Sequence, residues 1–271
     1  MPTRAATSSR PGAITEEGEP VLRSGEREQA AVDALFAEVL RAGESRPRAR
    51  EALALAGDEQ VVAAVLRRAV PVAFLEEVAS VRPWSERPRL LARVVLHPRA
   101  PRSLSLRLVS ALRWRDLADV AATLAVPAAV RSRAESLLAD GLVEMRFGDR
   151  VTLARLATPA LLPALLAATE GRVAESALLN PRLREEDVVT ALRREDVTRA
   201  LVEAAVRSPR WSSSYAVRLA LVLQTRTPLS LALHQIRSLV PRDLRRVADE
   251  ARLRPLVRQA ALAVLERQQD A

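Results

Sequence analysis

The chain has two histidines, His97 and His234, and no cysteine. Without cysteine there are no disulfides, thiolate metal sites, iron–sulfur clusters or cysteine nucleophiles to consider. Neither histidine has the spacing of a metal site or a hydrolytic triad, and His97, directly before Pro98, reads as a cap or turn residue. The acidic run Glu185-Glu186-Asp187 follows Asn180-Pro181 and falls in the first turns of a helix, where carboxylates meet the positive end of the helix dipole. No further ligands cluster near it, so its reading is structural. Asp116 and Asp243 stand before apolar helical faces and read as supports for helix starts. Gly141 and Gly148 flank Met145-Arg146-Phe147, and no phosphate-loop or dinucleotide fingerprint occurs. The expectation is a protein with no catalytic, metal-binding or cofactor-binding residue, no cofactor and no small-molecule substrate.

Arginine is the one reactive-group type present in excess. All 42 basic residues are Arg against 33 acids, a formal charge of +9. Between Glu86 and Asp116 there are eight arginines and no acid: Arg87, Arg89, Arg93, Arg99, Arg102, Arg107, Arg113 and Arg115. Between Glu203 and Asp243 the same holds for Arg207, Arg210, Arg218, Arg226, Arg237 and Arg242. Trp84, Trp114, Trp211 and Tyr215 lie in or beside these stretches. Guanidinium forks bind carboxylate or phosphate bidentately, and a neighbouring aromatic ring can stack on a base or a partner side chain. The candidate partner-binding residues are therefore Arg99, Arg107, Arg115, Trp114, Arg210, Trp211, Arg226 and Arg242. The competing reading is a solvated arginine-rich surface with its aromatics buried between helices.

The elements that carry these residues read as helices throughout. Hydrophobic residues make up 49% of the chain, aromatics only 3%, and there are 8 glycines, a composition that favours helix over strand. Residues 1–27, rich in Pro, Ser, Gly and balanced charge, read as an unstructured tail. They lack the apolar run of a secretory leader, no later stretch reaches the length of a membrane span, and a cytoplasmic location is expected. From Glu28 the period changes. Val32, Leu35, Phe36, Val39 and Leu40 form one helical face ending near Gly43, and similar short faces recur at Val62, Val65, Leu66 and at Val257, Ala261, Val264. Thr158-Pro159, Asn180-Pro181, Ser208-Pro209 and Thr227-Pro228 each place a side-chain oxygen before a proline, the pattern of a helix N-cap.

The chain also repeats itself. Shifted by 127 residues, Val95–Leu138 aligns with Val222–Leu265 without a gap, with 17 of 44 positions identical. Shared residues include Pro101/Pro228, Leu104/Leu231, Leu112/Leu239, Arg115-Asp116-Leu117/Arg242-Asp243-Leu244 and Arg131/Arg258. Self-similar helical units of this kind stack into solenoids, so one body spanning 28–271 is expected.

Leu96-His97-Pro98-Arg99, Leu179-Asn180-Pro181-Arg182 and Ser208-Pro209-Arg210 resemble the repeat starts of bacterial HEAT-like and leucine-rich-repeat-variant solenoids, over roughly residues 90 to 265. The resemblance implies an all-α solenoid of short stacked helices acting as a non-catalytic scaffold. It would hold a protein partner, acidic in character, on its arginines, with no membrane involvement. A minority of such families bind nucleic acid, which would place Arg99, Arg115, Arg226 and Arg242 on phosphates. Some act as base-excision enzymes and need an acid beside an aromatic pocket, for which Trp114 with Asp116 is the pairing at hand. The second copy has Pro241 in place of that tryptophan.

Overall fold

The computed structural model describes residues 24–269, which contain eighteen α-helices and no strand. No helix among the described residues is long and apolar enough to cross a membrane. The chain divides into two compact units, one ending at Glu77 and the other beginning at Val78. The sequence reading expected one body from residue 28. The division falls inside a helix, so no Gly, Ser or Pro linker marks it. Of the expected tail, residues 1–23 lie outside the described residues, while 24–27 open the first helix.

The first unit holds α1 (Ser24–Ala42), α2 (Arg46–Ala54), α3 (Glu59–Val65) and α4 (Val72–Val78). Val32, Leu35 and Val39 of α1 are buried as the periodicity predicts, whereas Leu40 is exposed. Phe36 sits at the edge of that face under the guanidinium of Arg68, 4.9 Å from the ring centroid. Gly43 follows α1 with φ +56°, the left-handed conformation that ends a helix and that side chains with a Cβ adopt at a penalty. Glu44 then reaches forward to accept the backbone N–H groups of Val72 and Ala73 at the start of α4.

In the second unit come α5 (Pro88–Leu96), α6 (Arg102–Leu108), α7 (Trp114–Ala122), α8 (Ala128–Gly141), α9 (Phe147–Leu156) and α10 (Leu162–Leu166). They are followed by α11 (Gly171–Leu178), α12 (Glu185–Arg193), α13 (Arg199–Arg207), α14 (Pro209–Ser212), α15 (Tyr215–Leu223), α16 (Leu229–Ile236), α17 (Pro241–Asp249) and α18 (Pro255–Gln269). Most are shorter than the ~12–15 residues an isolated helix needs in water, so packing holds them. Their buried positions follow the 3.6 period: Leu90, Leu91, Val94 and Val95 in α5, and Leu244, Val247 and Ala248 in α17. Partners are close in sequence: α5 packs on α6 and α7, α6 on α8, α9 on α11, α11 on α13, α12 on α15, and α16 on α18. Small residues at these faces, such as Ala174, Ala177, Ala204 and Ala205, bring the helix axes close.

The 127-residue offset reappears in the helix boundaries. Helices begin at Pro88 and Tyr215, at Arg102 and Leu229, at Trp114 and Pro241, and at Ala128 and Pro255. The correspondence therefore reaches back to α5 and α15, upstream of the residues whose identities reveal it.

The oxygen-before-proline pairs need correction. Only Ser208-Pro209 opens a helix directly, the one-turn α14, and the Ser208 hydroxyl does not cap it. The hydroxyl of Thr158 donates to Glu135 at 2.6 Å, and that of Thr227 donates to the Leu221 carbonyl at 2.7 Å. Asn180 also reaches backwards, as described below. Each follows the end of a helix, where carbonyls of that helix or of an earlier one, or a neighbouring carboxylate, claim the side chain before any downstream N–H can. The side chains that do accept from helix N-termini are Asp58 (from Val61), Thr198 (from Leu201) and Ser214 (from Val217).

Candidate binding surface

An α-helix ends with four carbonyls lacking intrahelical partners and with a partial negative charge. A series of short packed helices multiplies such ends, and in the second unit the polar residues at the junctions serve them. After α11, Asn180 is fully buried; its amide donates to the carbonyls of Ala154 and Ala157 at the end of α9, at 2.9 and 3.1 Å. Its Oδ1 accepts the backbone N–H of Arg182 at 2.9 Å. After α15, Gln224 does the same: Nε2 donates to the carbonyls of Leu192 and Arg194, and Oε1 accepts from the Arg226 N–H. After α5, buried His97 accepts the Arg99 N–H on Nδ1 at 3.1 Å. Histidine, asparagine and glutamine thus close one and the same turn, and the turn reading of His97 describes its geometry.

The arginine two residues further on joins in. Arg182 donates to the Leu156 carbonyl at 2.8 Å and Arg226 to the Val197 carbonyl at 3.3 Å. Arg210 donates to the Leu183 carbonyl at 3.0 Å and lies over the Trp211 ring, 4.2 Å from its centroid. Arg131 and Arg258, matched in the repeat, donate to the carbonyls of Val126 and Ala248. A guanidinium at a helix C-terminus offsets the dipole there. Part of the positive charge is therefore matched inside the fold.

This sorts the eight candidate residues. Trp211 is 3% exposed, with its indole N–H on the Leu178 carbonyl at 2.8 Å, so its ring belongs to the core. Arg210 and Arg226 are tied to backbone carbonyls of an earlier helix pair. Arg99 lies at the His97 turn. Arg107 on α6, Arg115 on α7 and Arg242 on α17 are exposed, and Trp114 is half-buried beneath Arg115, 5.1 Å from its ring centroid. Exposed Arg102 and Arg113 accompany Arg107 and Arg115. For Trp211→Phe we expect a loss of about 1–3 kcal/mol, since a phenyl ring still fills part of the site while the buried Leu178 carbonyl loses its donor. Urea denaturation checks this, and an unchanged midpoint would show the carbonyl is hydrated.

The acidic residues take helix-start positions. Asp116 accepts the Arg113 backbone N–H in the first turn of α7. Burial, reinforced by Asp119, pushes its carboxyl above the ordinary value against the pull of Arg113 and Arg89. Asp243, its counterpart in α17, accepts from the Tyr215 hydroxyl, which in turn accepts the Val240 N–H at 3.3 Å. Burial, then the bond to Asp243, raises the Tyr215 phenol. Asp187 accepts the Arg184 N–H at 3.0 Å, and Glu185 accepts from the Ser214 hydroxyl. Among the described residues no three His, Asp or Glu side chains are grouped so as to hold a metal ion.

Sequence reasoning did not find the roles of Asn180 and Gln224, nor a cleft lined by Arg193, Arg246 and Arg252. The alignment of Gln224 with His97 was the available signal for the first. For the cleft, the signal was the replacement of Asp119 by Arg246 at the matching position of the repeat. Comparison of the chain with known protein families, with curated proteins and with solved structures finds no match.

Proposed function

We propose that the second unit is a HEAT-like helical-repeat stack that acts as a non-catalytic scaffold, holding an acidic protein partner on the α6–α7 surface. The sorting of the arginines carries this reading. Arg182, Arg210 and Arg226 are consumed by backbone carbonyls, whereas Arg102, Arg107, Arg113 and Arg115 stand exposed along a stretch whose nearest acids are Glu86 and Asp116. Support for the stack comes from the sequential helix packing, from the repeated helix boundaries, and from polar ties linking side chains to carbonyls 23–33 residues earlier. A nucleic-acid surface needs a longer array of arginines tracking phosphates, and Arg182, Arg210 and Arg226 are already engaged by backbone carbonyls.

The test uses fluorescence anisotropy with a short Glu/Asp-rich peptide and with duplex DNA over a salt series, alongside crosslinking in lysate. Arg107→Glu/Arg115→Glu is expected to weaken peptide binding by about tenfold and to abolish capture of the crosslinked partner. DNA binding that is tighter than peptide binding and falls steeply with salt would replace this reading with the nucleic-acid one.

A further inference from the structure

A second cationic feature involves none of the α6–α7 arginines. The C-terminal ends of α12, α15 and α17 border a cleft of about 170 Å³, walled by Ala220 and Leu223. Three guanidiniums line it: Arg193 from the last turn of α12, Arg246 from α17, and Arg252 from the turn after α17. Glu250 is the only carboxylate in the lining, and Arg252 Nε donates to it at 3.2 Å. That hydrogen bond holds the Glu250 carboxyl below the ordinary range, with a smaller contribution from the charge of Arg246. The lining thus carries a net charge of plus two.

Helix-end chemistry alone does not call for this grouping. Gln224 already serves the Leu192 and Arg194 carbonyls at the end of α12. The repeat supplies an internal control as well. At the matching positions of the first copy, Asp119 stands for Arg246, Thr123 for Glu250 and Ala125 for Arg252. There, α7 forms with the same length as α17. The fold therefore builds the end of this helix without two of the three cations, and the second copy places them beside Arg193 against their mutual repulsion.

We propose that this cleft binds the phosphoryl group of a phosphate monoester. Its volume corresponds to about five or six waters at ~30 Å³ each, well below the ~300 Å³ at which sites for larger organic ligands begin. It suits one tetrahedral oxyanion whose substituent points to solvent. Three guanidiniums match three phosphoryl oxygens, and the net plus two matches a group carrying about −1.5 to −2. A carboxylate has two oxygens and one charge, and would leave one guanidinium unmatched. This assignment is independent of the α6–α7 surface.

The test follows the arginine Nε–Hε NMR signals and the binding heat of the full chain at low salt, titrated with inorganic phosphate, O-phosphoserine and acetate. Phosphate and O-phosphoserine should both saturate the signals of Arg193, Arg246 and Arg252, with acetate at least tenfold weaker. O-phosphoserine binding on a par with phosphate identifies a monoester site. Exclusion of O-phosphoserine with phosphate retained would overturn the monoester assignment. Arg246→Asp/Arg252→Ala restores the first copy's residues, so the fold accommodates it, and it should weaken phosphate binding by about tenfold or more. Glu250→Thr, also a first-copy residue, should tighten binding several-fold by removing the competing carboxylate. Absence of saturable phosphate binding, equal binding of acetate, or undiminished binding by a folded Arg246→Asp/Arg252→Ala variant would each overturn the proposal.

Discussion

Replacing Asn180 by Ala is expected to destabilise the second unit by about 3–5 kcal/mol, and replacing it by Asp by more at neutral pH. The amide is fully buried and satisfies three backbone groups: the Ala154 and Ala157 carbonyls and the Arg182 N–H. Alanine leaves all three without a side-chain partner in a fully buried site. Aspartate is worse, because an ionised carboxylate has no hydrogen to donate and would face two carbonyl oxygens. Burial and those oxygens raise the new carboxyl's folded-state pKa above its unfolded value. The folded state then binds the proton more readily, so Asn180→Asp should regain stability as pH falls, while Asn180→Ala should not. Denaturant midpoints between neutral pH and pH near 4 separate the two behaviours. An Ala variant within about 0.5 kcal/mol of the wild type would mean that water serves these carbonyls.

The first unit holds the other large expected effect. Glu77 is 1% exposed, with one carboxylate oxygen on Arg46 Nε at 2.9 Å and the other on Arg50 Nε at 2.8 Å. The two arginines stand one turn apart on α2, so a single buried acid anchors that helix to α4. Arg46→Ala/Arg50→Ala strands the carboxylate and should cost about 3–5 kcal/mol at neutral pH, with the single variants coupled rather than additive. In the native protein burial pushes the Glu77 carboxyl up, but the hydrogen bonds from Arg50 and Arg46 outweigh it and hold the carboxyl below its ordinary value. A carboxyl lowered by folding contributes stability above its unfolded pKa and loses it as pH falls through the folded value. Unfolding of the first unit should therefore become easier below about pH 4.5, and Glu77→Gln should flatten that dependence. In the double-arginine variant the sign reverses: acid neutralises the stranded charge and recovers stability. An acid profile unchanged in Glu77→Gln would assign the dependence to other carboxylates.

The helical class was legible because apolar residues recur at the helical period while strand-forming aromatics are scarce. The repeat was legible because core leucines such as Leu112 and Leu239 and the Arg-Asp-Leu trio survive in both copies. The junctions were not. His97, Asn180 and Gln224 differ in size and charge, so identity scoring sees no relation, yet each offers an acceptor to the N–H two residues ahead. Proline rules describe the backbone around the proline and were silent on the distant carbonyls that claim Asn180 and on the preceding-helix carbonyl that claims Thr227. The candidate surface was read by counting arginines, which treats Arg115 and Arg226 alike. What separates them is the position of a backbone carbonyl from an earlier helix pair, and that is a tertiary fact. Trp211 was misplaced for a related reason: its neighbour Arg210 suggested a stacking platform, but the same pair serves to close the end of α11.

The backbone ties between helix pairs also have a direction in time. In each one described, the donor comes later in the chain than the carbonyl it serves: Asn180 for Ala154, Trp211 for Leu178, Gln224 for Leu192 and Arg226 for Val197. During synthesis an early pair leaves the ribosome with its carbonyls still in water and is completed only when the next pair arrives with the missing donors. Growth in this order lets every new segment dock on a surface already waiting for it, and a chain halted midway exposes one unfinished edge rather than many.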